Sequence, residues 1–424
     1  MTTLAIIGTG VAGLGCAHFL HSRYDVTLFE QNDYPGGHTN TITVNEQGRQ
    51  VPIDTGFMVY NEVTYPNLTR LFRELDVQTK PTTMSFSVSH QPSGIEYNGA
   101  GLNRLFGQRR NLASPRFWRL LMQMGRFNSE AIQALKDTSY STYTIGQYVA
   151  ERGYGDDFLN LFLVPMSSAV WSTPPDKMLE FPAYTLLRFF HNHGFLGLHT
   201  HHPWRTLVGG ARSYVVKMNA PWRDRIRLNS KVAAVSRGKD GVRVVTTDGA
   251  EGRFDKVIMA SHADETLRLL SDPTPTERTL LGEFQYQRNT ATLHTDPSFM
   301  PRTRNCWASW NYRIDRQPDG TTTPSTHYWM NSLQGVSQRQ CYFVSLNSEH
   351  RIPDQSILRR IEYHHPLFSL GAIAAQKDLP GLNRIGPDQS TYFCGSYFKY
   401  GFHEDAFTSA LDCARAVTGE PIWS

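Results

Sequence analysis

The first thirty residues alternate between apolar runs and a glycine-rich turn. Residues 4–7 are consecutive apolar residues, which predicts a short apolar strand. After the turn, apolar residues recur at helical spacing up to Leu20, and the stretch DVTLFE predicts a second strand that ends at Glu30. Strand, helix and strand in this order predict the βαβ unit of an α/β domain.

The other end of the chain predicts a helix that begins where glycines clear space. In CGSYFKYGFHEDAFTSALDCARAV the helix starts near Glu404, and its apolar residues recur at helical spacing: Ala406, Ala410, Leu411, Ala414 and Val417. Gly395 and Gly401 precede it and leave room for close backbone contacts. A helix N-terminus in such surroundings is suited to bind an anion or a carbonyl oxygen.

The middle of the chain has a different pattern. Residues from about 70 to 200 and from about 272 to 375 lack the βαβ rhythm and hold most of the aromatic residues. By elimination they form a substrate-binding domain, 71–202 and 272–375, inserted twice into a nucleotide-binding domain of residues 1–70, 203–271 and 376–424. A length of 424 residues is enough for two domains with their own cores.

The turn after the first strand holds the motif GxGxxG, made by Gly8, Gly10, Val11, Ala12 and Gly13. Its position between a strand and a helix, with the acid Glu30 about twenty residues on, predicts a dinucleotide site. Gly8 makes the tight turn, Gly10 lets a pyrophosphate approach, and Gly13 lets helix and strand pack. The carboxylate of Glu30 should accept hydrogen bonds from ribose hydroxyls and would repel a 2′-phosphate, which disfavours NADP.

Composition narrows the class of protein. Hydrophobic residues make up 40% and charged residues 19%, which is typical of a globular protein, and the net charge of +4 gives no reason to expect nucleic acid. Five cysteines without a CxxC pair favour reduced thiols. A strand within three residues of the start predicts no signal peptide, and no apolar run approaches the ~20 residues of a membrane span. We therefore expect a cytoplasmic protein that at most contacts a membrane surface.

The segment after Glu30, QNDYPGGHTNTI, carries a second glycine pair. Its residues of interest are Gln31, Gly36, Gly37, His38 and Thr39. A glycine pair directly after the ribose acid resembles the flavin amine oxidase and phytoene desaturase superfamily, in which it contacts the FAD phosphates and ribityl chain. This sequence has His38 where that superfamily usually has arginine, so any cation beside the pyrophosphate is a titratable one.

Three further segments carry the resemblance. VPIDTGFMVYN is similar to the segment that passes the isoalloxazine ring, with Asp54, Gly56 and Phe57 as its markers. In the superfamily a later strand passes the adenine with its backbone at the position of Val232 here. The closing segment is similar to the terminal flavin motif, with Ser396 after Gly395 in place of the usual acid.

The resemblance implies a glutathione-reductase-like FAD-binding Rossmann domain with an inserted mixed α+β substrate domain, an α/β fold overall. It implies that the last helix directs its N-terminus at the flavin pyrimidine, with the backbone N–H groups near Ala406 and Phe407 facing the C2 carbonyl. No cysteine or histidine matches an attachment motif, so the FAD is expected to be noncovalent.

Overall the chain most resembles a bacterial subgroup of predicted NAD/FAD-binding proteins associated with cyclopropane-fatty-acid synthase-type methyltransferases. The segments DTGFMVYNEVTYPNL, SWNYR, YWMNSLQG and YGFHEDA carry this similarity. It implies desaturation of an unsaturated or methylated fatty-acyl chain, with an apolar small molecule as substrate. Two alternatives stay open: oxidation of an amine within an aromatic cage of Tyr397, Tyr400, Trp329 and Tyr328, and a flavin-binding redox module without turnover.

Three residues near the last helix are candidates for catalysis: His403, Tyr397 and Glu404. His403 lies between Gly401 and the helix start, and a histidine with an ordinary pKa near 6.5 suits proton transfer. The alternative is that His403 only caps the local backbone. Tyr397 directly precedes the flavin helix, and Glu404 is expected to turn toward the helix cap or the substrate.

Two polar stretches in the middle of the chain have open roles. Residues 103–129 hold six arginines and no acid among apolar residues, which suggests either an interfacial membrane helix or a packed helix with solvated arginines. The segment HNHGFLGLHTHH holds His191, His193, His199, His201 and His202. Without cysteine or carboxylate partners it favours a loop at the domain junction over a metal site. The sequence leaves the oligomeric state open.

Overall fold

The computed structural model describes residues 1–197, 200–384 and 389–423. Its strands up to residue 207 are β1 (Thr3–Ile7), β2 (Asp25–Phe29), β3 (Thr41–Glu46), β4 (Arg49–Asp54), β5 (Tyr60–Asn61), β6 (Thr79–Thr82), β7 (Phe86–His90), β8 (Ile95–Asn98) and β9 (Trp204–Leu207). The later strands are β10 (Ile226–Arg227), β11 (Val232–Gly238), β12 (Gly241–Thr246), β13 (Glu251–Phe254), β14 (Lys256–Met259), β15 (Gln285–His294), β16 (Trp310–Arg316), β17 (Thr322–Trp329), β18 (Phe343–Leu346), β19 (Ile357–Leu367) and β20 (Thr391–Phe393).

A long run of α-helices follows β8 and leads to β9. Up to that point the helices are α1 (Val11–Leu20), α2 (Pro66–Glu74), α3 (Leu102–Leu105), α4 (Pro115–Ala134), α5 (Ile145–Glu151), α6 (Asp156–Phe158), α7 (Val164–Trp171), α8 (Pro175–Glu180) and α9 (Ala183–Asn192). The remaining helices are α10 (Arg212–Asn219), α11 (Ala263–Leu269), α12 (Pro275–Gly282), α13 (Met330–Leu333), α14 (Leu370–Ala375) and α15 (His403–Thr418).

A five-stranded parallel sheet forms the nucleotide-binding half, in the order β10-β2-β1-β14-β20. Its strands come from three separated parts of the chain, as the discontinuous domain in the sequence analysis requires. In β1, Ala5 and Ile7 join one hydrophobic core while Leu4 and Ile6 join the other. Both faces of the sheet are therefore covered, which explains why the strand is an unbroken apolar run.

Helix α1 is wedged between this sheet and α15, and glycines make the close fit possible. A Cβ on Gly13 would lie 2.0 Å from the carbonyl oxygen of Gly8, and one on Gly15 would lie 2.9 Å from the side chain of Ala410. Helix α15 begins one residue before the predicted start and ends at Gly419, whose φ of +70° is the left-handed conformation that favours glycine at a helix C-terminus.

Three of the five cysteines meet at the same contact between helices. The sulfur atoms of Cys16, Cys394 and Cys413 lie within 4.8 Å of one another, and all three side chains are buried. They are free thiols. Because Cys16 is hundreds of positions away from the other two, the spacing in the sequence gave no indication of this cluster.

A seven-stranded sheet forms the substrate half, in the order β19-β15-β18-β17-β16-β7-β8. Its pairings are antiparallel except that of β16 with β7, which is parallel. Helices α4 to α9 contribute their buried side chains to the core beside it. Together the two sheets confirm the predicted α/β fold with a mixed α+β substrate domain.

The exact domain boundaries stay a prediction. Strand β6, from the range assigned to the substrate domain, pairs with β9 from the nucleotide-binding range, and β9 also pairs with β5. These three strands form a small sheet that connects the two halves.

Within the described ranges no helix combines the length and the hydropathy needed to cross a bilayer.

Candidate cofactor and substrate site

The first glycine turn leaves its middle glycine open. Gly8 has φ +100°, and a Cβ there would lie 3.0 Å from the carbonyl oxygen of Ala260. The turn therefore packs tightly against the end of the neighbouring strand β14. Around Gly10, in contrast, no heavy atom lies within 4 Å of the position that a Cβ would take. Gly10 directly precedes helix α1, so its backbone faces open space at a helix N-terminus, where a phosphate group is favoured.

The second glycine pair contacts the first turn. The N–H of Gly36 donates to the carbonyl oxygen of Thr9 at 2.9 Å, and a Cβ on Gly37 would lie 3.3 Å from the Cα of Gly10. Gly36 and Gly37 have φ of +120° and +57°. The two turns thus form one cradle of backbone with few side chains, as a pyrophosphate requires.

Glu30 lies at the end of β2 and is 5% exposed. One carboxylate oxygen accepts from the N–H and the hydroxyl of Thr9, and the other accepts from the N–H and side-chain amide of Asn32 at 2.9 and 2.8 Å. The carbonyl of Glu30 accepts from the N–H of Ser230 at 2.7 Å. The carboxylate is therefore held in place by neighbours that the sequence analysis did not single out.

The adenine-side residues lie close to Glu30. Val232 begins β11 two residues after Ser230, and the N–H of Asn229 donates to the carbonyl of Asn32 at 2.9 Å. Val232 is buried, whereas Gln31 is exposed. The segment that leads into β11 and Val232 is thus hydrogen-bonded to the chain at Glu30 and Asn32, and the contact of Val232 with adenine stays a prediction.

His38 belongs to a group of histidines, which we call the histidine cluster: His38, His262, His364 and His365. The ring of His38 stacks on Tyr363 with centroids 4.7 Å apart and meets the ring of His365 edge-on at 5.2 Å. Its Nε2 is buried and has no hydrogen-bond partner among the described residues. Burial and the neighbouring histidines lower the pKa of His38 well below its ordinary value.

The lowered pKa favours the neutral form of His38, which does not supply the fixed cation that an arginine would. His365 is held similarly, because its Nδ1 lies 2.8 Å from the amide nitrogen of Asn289, and burial lowers its pKa to about 4. The second glycine pair thus lies beside neutral imidazoles.

Segment 54–57 pairs with the chain around His38. The N–H of Phe57 donates to the carbonyl of His38 at 2.8 Å, and a Cβ on Gly56 would lie 2.2 Å from that same oxygen. Asp54 is fully buried and accepts from the hydroxyl of Thr41, from the N–H of Ala211 at 2.8 Å and from the side-chain amide of Gln334. Burial raises the pKa of Asp54 to about 7. Because Ala211 belongs to the nucleotide-binding range and Gln334 to the substrate range, the hydrogen bonds of Asp54 connect the two halves of the molecule.

His403 is bonded to hydroxyl groups rather than to backbone. Its Nε2 lies 2.6 Å from the hydroxyl of Tyr214 and 3.1 Å from that of Thr39, and its ring stacks on Phe57 at 3.8 Å. Burial lowers the pKa of His403 to about 3. An imidazole with this pKa is neutral and a weak base at neutral pH, so burial moves His403 away from the ordinary pKa that the sequence analysis assumed.

Glu404 is engaged by the start of another helix. Its carboxylate accepts from the N–H groups of Asn67 and Leu68, at 2.9 and 3.0 Å, in the first turn of α2. Asp405 accepts from the N–H of Phe402 at 3.0 Å and so caps its own helix. Glu404 therefore caps α2 rather than its own helix, which neither of its two expected orientations described, and its catalytic role stays a prediction.

The N–H groups named for the flavin carbonyl lie just beyond the free N–H groups of the helix start. The N–H of Ala406 donates to the carbonyl of Phe402 at 3.0 Å, and Phe407 is fully buried against Gly15. Because α15 begins at His403, the N–H groups without an intrahelical acceptor are those of residues 403–405. The expectation for Ala406 and Phe407 is wrong for this reason, while the helix N-terminus itself lies next to Thr39 and Phe57.

Tyr397 belongs to the hydrophobic core. It is 1% exposed, its ring lies 5.3 Å from that of Phe284, and a Cβ on Gly395 would lie 2.4 Å from its ring. Its hydroxyl is buried without a partner among the described residues. Gly395 is required here because Tyr397 folds back over it, and Ser396 begins the short turn between them. The structure therefore gives Tyr397 a packing role.

The four rings suggested for an aromatic cage do not converge. Tyr328 and Trp329 are consecutive on β17, so their side chains point to opposite faces of the sheet. Tyr328 contacts Trp310 at 5.3 Å, and Trp329 contacts Trp307 at 5.3 Å. With Tyr397 in the core, this set cannot enclose one ligand.

Aromatic residues instead line the junction between the two cores. Phe195 and Trp310 are partly buried and pack against both cores. Phe402, directly before α15, stacks on Phe189 at 4.8 Å, and His193 stacks on Phe189 at 3.8 Å. His193 thus follows the end of α9 beside these rings, the expected loop at the domain junction stays a prediction, and His199 lies outside the described residues.

Four functional candidates escaped the sequence analysis: Tyr214, Tyr363, His262 and His365. They come from α10, β19 and the turn after β14, which no motif connects. The sequence features that could have indicated them are His262 after β14 and the pair His364 and His365 in β19. Only the fold, however, brings these histidines close to His38.

Taken together, these residues fit a dinucleotide with an extended ring system. The cradle at Gly10 is open, Glu30 is positioned at the adenosine end, and Nε2 of His38 is buried without a partner among the described residues. The N-terminus of α15 lies at the other end, beside Phe57.

Solved structures with the same fold cover almost the entire chain. A redesigned triple mutant of putrescine oxidase has a TM-score of 0.70 at 13% identity, with 99% of each chain covered. Cyclohexylamine oxidase from Brevibacterium oxydans IH-35A has a TM-score of 0.69 at 16% identity, again with 99% of each chain covered. A CLA-producing fatty acid isomerase from P. acnes has a TM-score of 0.68 at 16% identity, covering 99% of this chain and 98% of that one.

No curated protein matches the sequence. The profile of one family, flavin containing amine oxidoreductase, matches residues 11–418. The cofactor implied by the glycine cradle is accordingly FAD, and the chain is an FAD-dependent oxidoreductase. It belongs to the flavin-containing amine oxidoreductase family.

Proposed function

We propose that this oxidoreductase removes two hydrogens from an unsaturated or methylated fatty-acyl chain. The observation that carries the proposal is the chemistry of the junction between the two cores. The side chains that line it are aromatic rings and neutral imidazoles, and the buried carboxylates near it are bonded to groups of the protein. Such a surface suits an uncharged hydrocarbon segment better than an ammonium group.

The three carboxylates concerned are Asp54, Glu404 and Asp405. Each accepts at least one backbone N–H bond, from Ala211, from Asn67 and Leu68, and from Phe402 respectively. Burial raises the pKa of Asp54 and Asp405 to about 7, which further weakens their negative charge. None of the three therefore offers a free carboxylate to a cationic substrate.

Burial also favours the uncharged form of the imidazoles. Burial lowers the pKa of His193 and His365 to about 4 and that of His403 to about 3. At neutral pH these rings are uncharged, so they contribute polarity without a net charge. Phe195, Phe402 and Trp310 supply the apolar surface that an acyl chain needs.

FAD, when bound, supplies the two-electron acceptor for oxidation of an activated C–H bond. This chain's residues would hold it through the two glycine turns, through Glu30 at the ribose and through the N-terminus of α15. The substrate would lose a hydride to the cofactor and a proton to solvent or to a nearby base. Thr39, Tyr214 and His403 form a hydrogen-bonded group that fixes the position of the helix start.

Two compounds with the same chain separate the proposal from amine oxidation. Oleic acid, or a phospholipid that carries it, and oleylamine share the unsaturated chain and differ in the head group. Each is added to the FAD-loaded enzyme without oxygen, and the visible absorbance of the flavin is followed. We expect bleaching with the acyl compound, and mass spectrometry should show a product that lacks two hydrogens.

Bleaching by oleylamine together with aldehyde formation, and none by the acyl compounds, would replace the proposal with an amine oxidase. The family and the oxidase structures with this fold make that the second candidate. Saturated stearic acid is the control for the unsaturated chain, because it lacks the allylic C–H bonds of oleic acid.

Noncovalent attachment of FAD also remains a prediction. Acid precipitation should leave a colourless pellet and a yellow supernatant. A pellet that stays yellow after washing would contradict it.

A further inference from the structure

The segment with six arginines forms an exposed face on the substrate half. We call it the arginine face and define it by the apolar residues Leu102, Leu112, Trp118 and Met122 and the arginines Arg104, Arg109, Arg110 and Arg119. The four apolar side chains are 75%, 51%, 46% and 66% exposed. Large apolar side chains at this exposure, grouped in one short segment, mark an interaction surface.

The apolar residues are neighbours in space as well as in sequence. The indole N–H of Trp118 donates to the carbonyl of Leu112 at 2.9 Å, and Trp118 lies 5.3 Å from the ring of Phe106. Met122 follows Trp118 by one helical turn, and Leu102 precedes Phe106 by one turn. These contacts join α3, the 3₁₀ turn Arg109–Ala113 and α4 into one continuous surface.

The scaffold beneath this surface is firmly packed. Phe117, Leu120 and Phe127 on the opposite side of α4 are almost completely buried, and Ser114 caps the helix by accepting from the N–H of Phe117 at 3.3 Å. The interpretation of α4 as a packed helix is thus met, and its other side presents apolar residues to solvent. The exposed residues therefore do not result from a loosely held segment.

The charge of the face is positive and largely uncompensated. Of the six arginines in residues 103–129, Arg116 pairs with Asp157 and Arg126 pairs with Glu130. Arg109 and Arg110 donate only to neutral oxygens, of residues 103, 106 and 94. Across the described ranges, the remaining two arginines of the stretch, at positions 104 and 119, have neither an ion pair nor a side-chain hydrogen bond.

The positive net charge of the protein is concentrated in this segment. Residues 103–129 hold six of the 42 basic residues and none of the 38 acids, so the remainder has more acids than bases. A flexible polyanion that wraps around the protein would be repelled by the net negative charge of the other residues. A flat anionic surface contacts only the arginine face and is not exposed to that repulsion.

We propose that the arginine face docks on an anionic lipid bilayer. Exposed Leu and Met side chains beside a tryptophan with a polar N–H suit the boundary between head groups and acyl chains, and arginines suit anionic head groups. The docked face belongs to the substrate half, so docking brings that half to the membrane surface. The proposal does not rest on an acyl substrate, because binding to vesicles requires no turnover.

The test is co-sedimentation of the FAD-loaded protein with vesicles. Vesicles of phosphatidylcholine with added phosphatidylglycerol are compared with vesicles of phosphatidylcholine alone, at low and at high salt. We expect binding to the anionic vesicles at low salt and clear loss of binding at high salt, because electrostatic attraction is screened.

A pair of arginine substitutions tests the charge of the face. Replacing Arg104 and Arg119 with glutamine should weaken binding about 25-fold, since each basic residue near the surface contributes a factor of about five, or about 1 kcal/mol. The control replaces Arg253 and Arg278, which are exposed and lie far along the chain from this face, with glutamine. The control has the same net charge and should bind as the original protein does.

A single substitution tests the apolar part. Met122→Gln should weaken binding about fivefold or more, because the bilayer no longer covers an apolar side chain. Val216→Gln, at a side chain that is 54% exposed on α10, is its control. Thermal unfolding and FAD content should stay the same in all four variants.

Equal binding to neutral and anionic vesicles would overturn the proposal, and so would a control pair that weakens binding as much as the arginine pair. Binding to single-stranded RNA that exceeds vesicle binding and depends on Arg104 and Arg119 would assign the face to nucleic acid instead. Oleic acid that fails to bleach the flavin would refute the proposed function and leave this docking surface intact.

Discussion

The glycine cradle and the seven-stranded sheet hold their polar groups in different ways. In the cradle the contacts join backbone to backbone, as between Gly36 and Thr9, and Cβ atoms added at Gly13 or Gly36 would collide with carbonyl oxygens. In the sheet the contacts join buried side chains: the hydroxyl of Ser345 lies 2.7 Å from Nε2 of His294 and 2.6 Å from Nδ1 of His327. The cradle therefore depends on the absence of side chains, whereas the sheet depends on their protonation state.

This difference predicts two kinds of sensitivity. A substitution in the cradle should act through sterics and be independent of pH. A substitution in the sheet should change how stability varies with pH. The following experiments test this contrast, beginning with the largest expected effect.

Within the cradle, Gly13→Ala should prevent stable folding. Its Cβ would lie 2.0 Å from the carbonyl oxygen of Gly8, and backbone on both sides cannot move away, so we expect a loss of about 3 kcal/mol or more. Gly10→Ala is the matched variant, because no heavy atom lies within 4 Å of its Cβ position. It should fold normally and lose FAD, since its methyl group occupies the space that the phosphates need.

Circular dichroism and FAD content measure the two outcomes. A folded Gly13→Ala protein with normal FAD content would contradict the tight packing, and a Gly10→Ala protein that keeps its FAD would contradict the position of the phosphates.

The histidines of the sheet should make the protein unstable in acid. Burial lowers the pKa of His294 to about 4, and burial with the nearby charges of His294, Arg351 and Arg313 lowers that of His327 well below its ordinary value. The unfolded chain takes up these protons near pH 6.5 and the folded chain does not, so this stability is present above pH 6.5 and is lost as the pH falls toward about 4. For His294 the loss is about 3 kcal/mol.

Denaturant unfolding between pH 7 and pH 4 measures this dependence. His327→Gln should flatten the curve, whatever its effect on stability at pH 7, while His350→Gln, at an exposed position, should leave the curve unchanged. An unaltered slope in His327→Gln would mean that the sheet does not bring about the acid sensitivity.

Glu30→Ala should weaken FAD binding about 10- to 100-fold. The reason is the loss of charge-assisted hydrogen bonds to the ribose, each worth about 1.5–3 kcal/mol. Flavin occupancy on dilution measures the effect. Asp33→Ala removes an exposed acid three residues away and is the control. Equal occupancy in both variants would argue against Glu30 as the ribose ligand.

His403→Gln should have the smallest effect, a change of less than about threefold in the rate of anaerobic flavin bleaching. With a pKa of about 3 the imidazole is a weak base at neutral pH, so little proton transfer is lost. A decrease of about 10²- to 10⁴-fold, as is typical of lost acid–base catalysis, would restore His403 as a catalytic residue.

Much of the cofactor half could be predicted because its motifs are local. The first strand, the glycine turn, helix α1 and the final helix lie within one residue of their predicted positions. The assignment of Ala406 failed on that single residue, because the helix start decides which N–H groups lack an acceptor four residues back, and the N–H of Phe407 lies beyond the free groups for either start. The catalytic roles of Tyr397 and Glu404 stay predictions, and the burial of Tyr397 and the hydrogen bonds of Glu404 to α2 could not be predicted, since contacts with distant residues leave no trace in the nearby sequence.

The sequence by itself determined that two glycine turns and an acid build a dinucleotide site, because turns, helix spacing and strand patterns depend on neighbouring residues. Only the tertiary structure decided which side chains surround that site. Long-range packing brings His38 against Tyr363 and His365, joins Asp54 to Gln334, and buries Tyr397. It also sets the charge of the site, because a pKa depends on burial and on neighbours that can be hundreds of residues away along the chain.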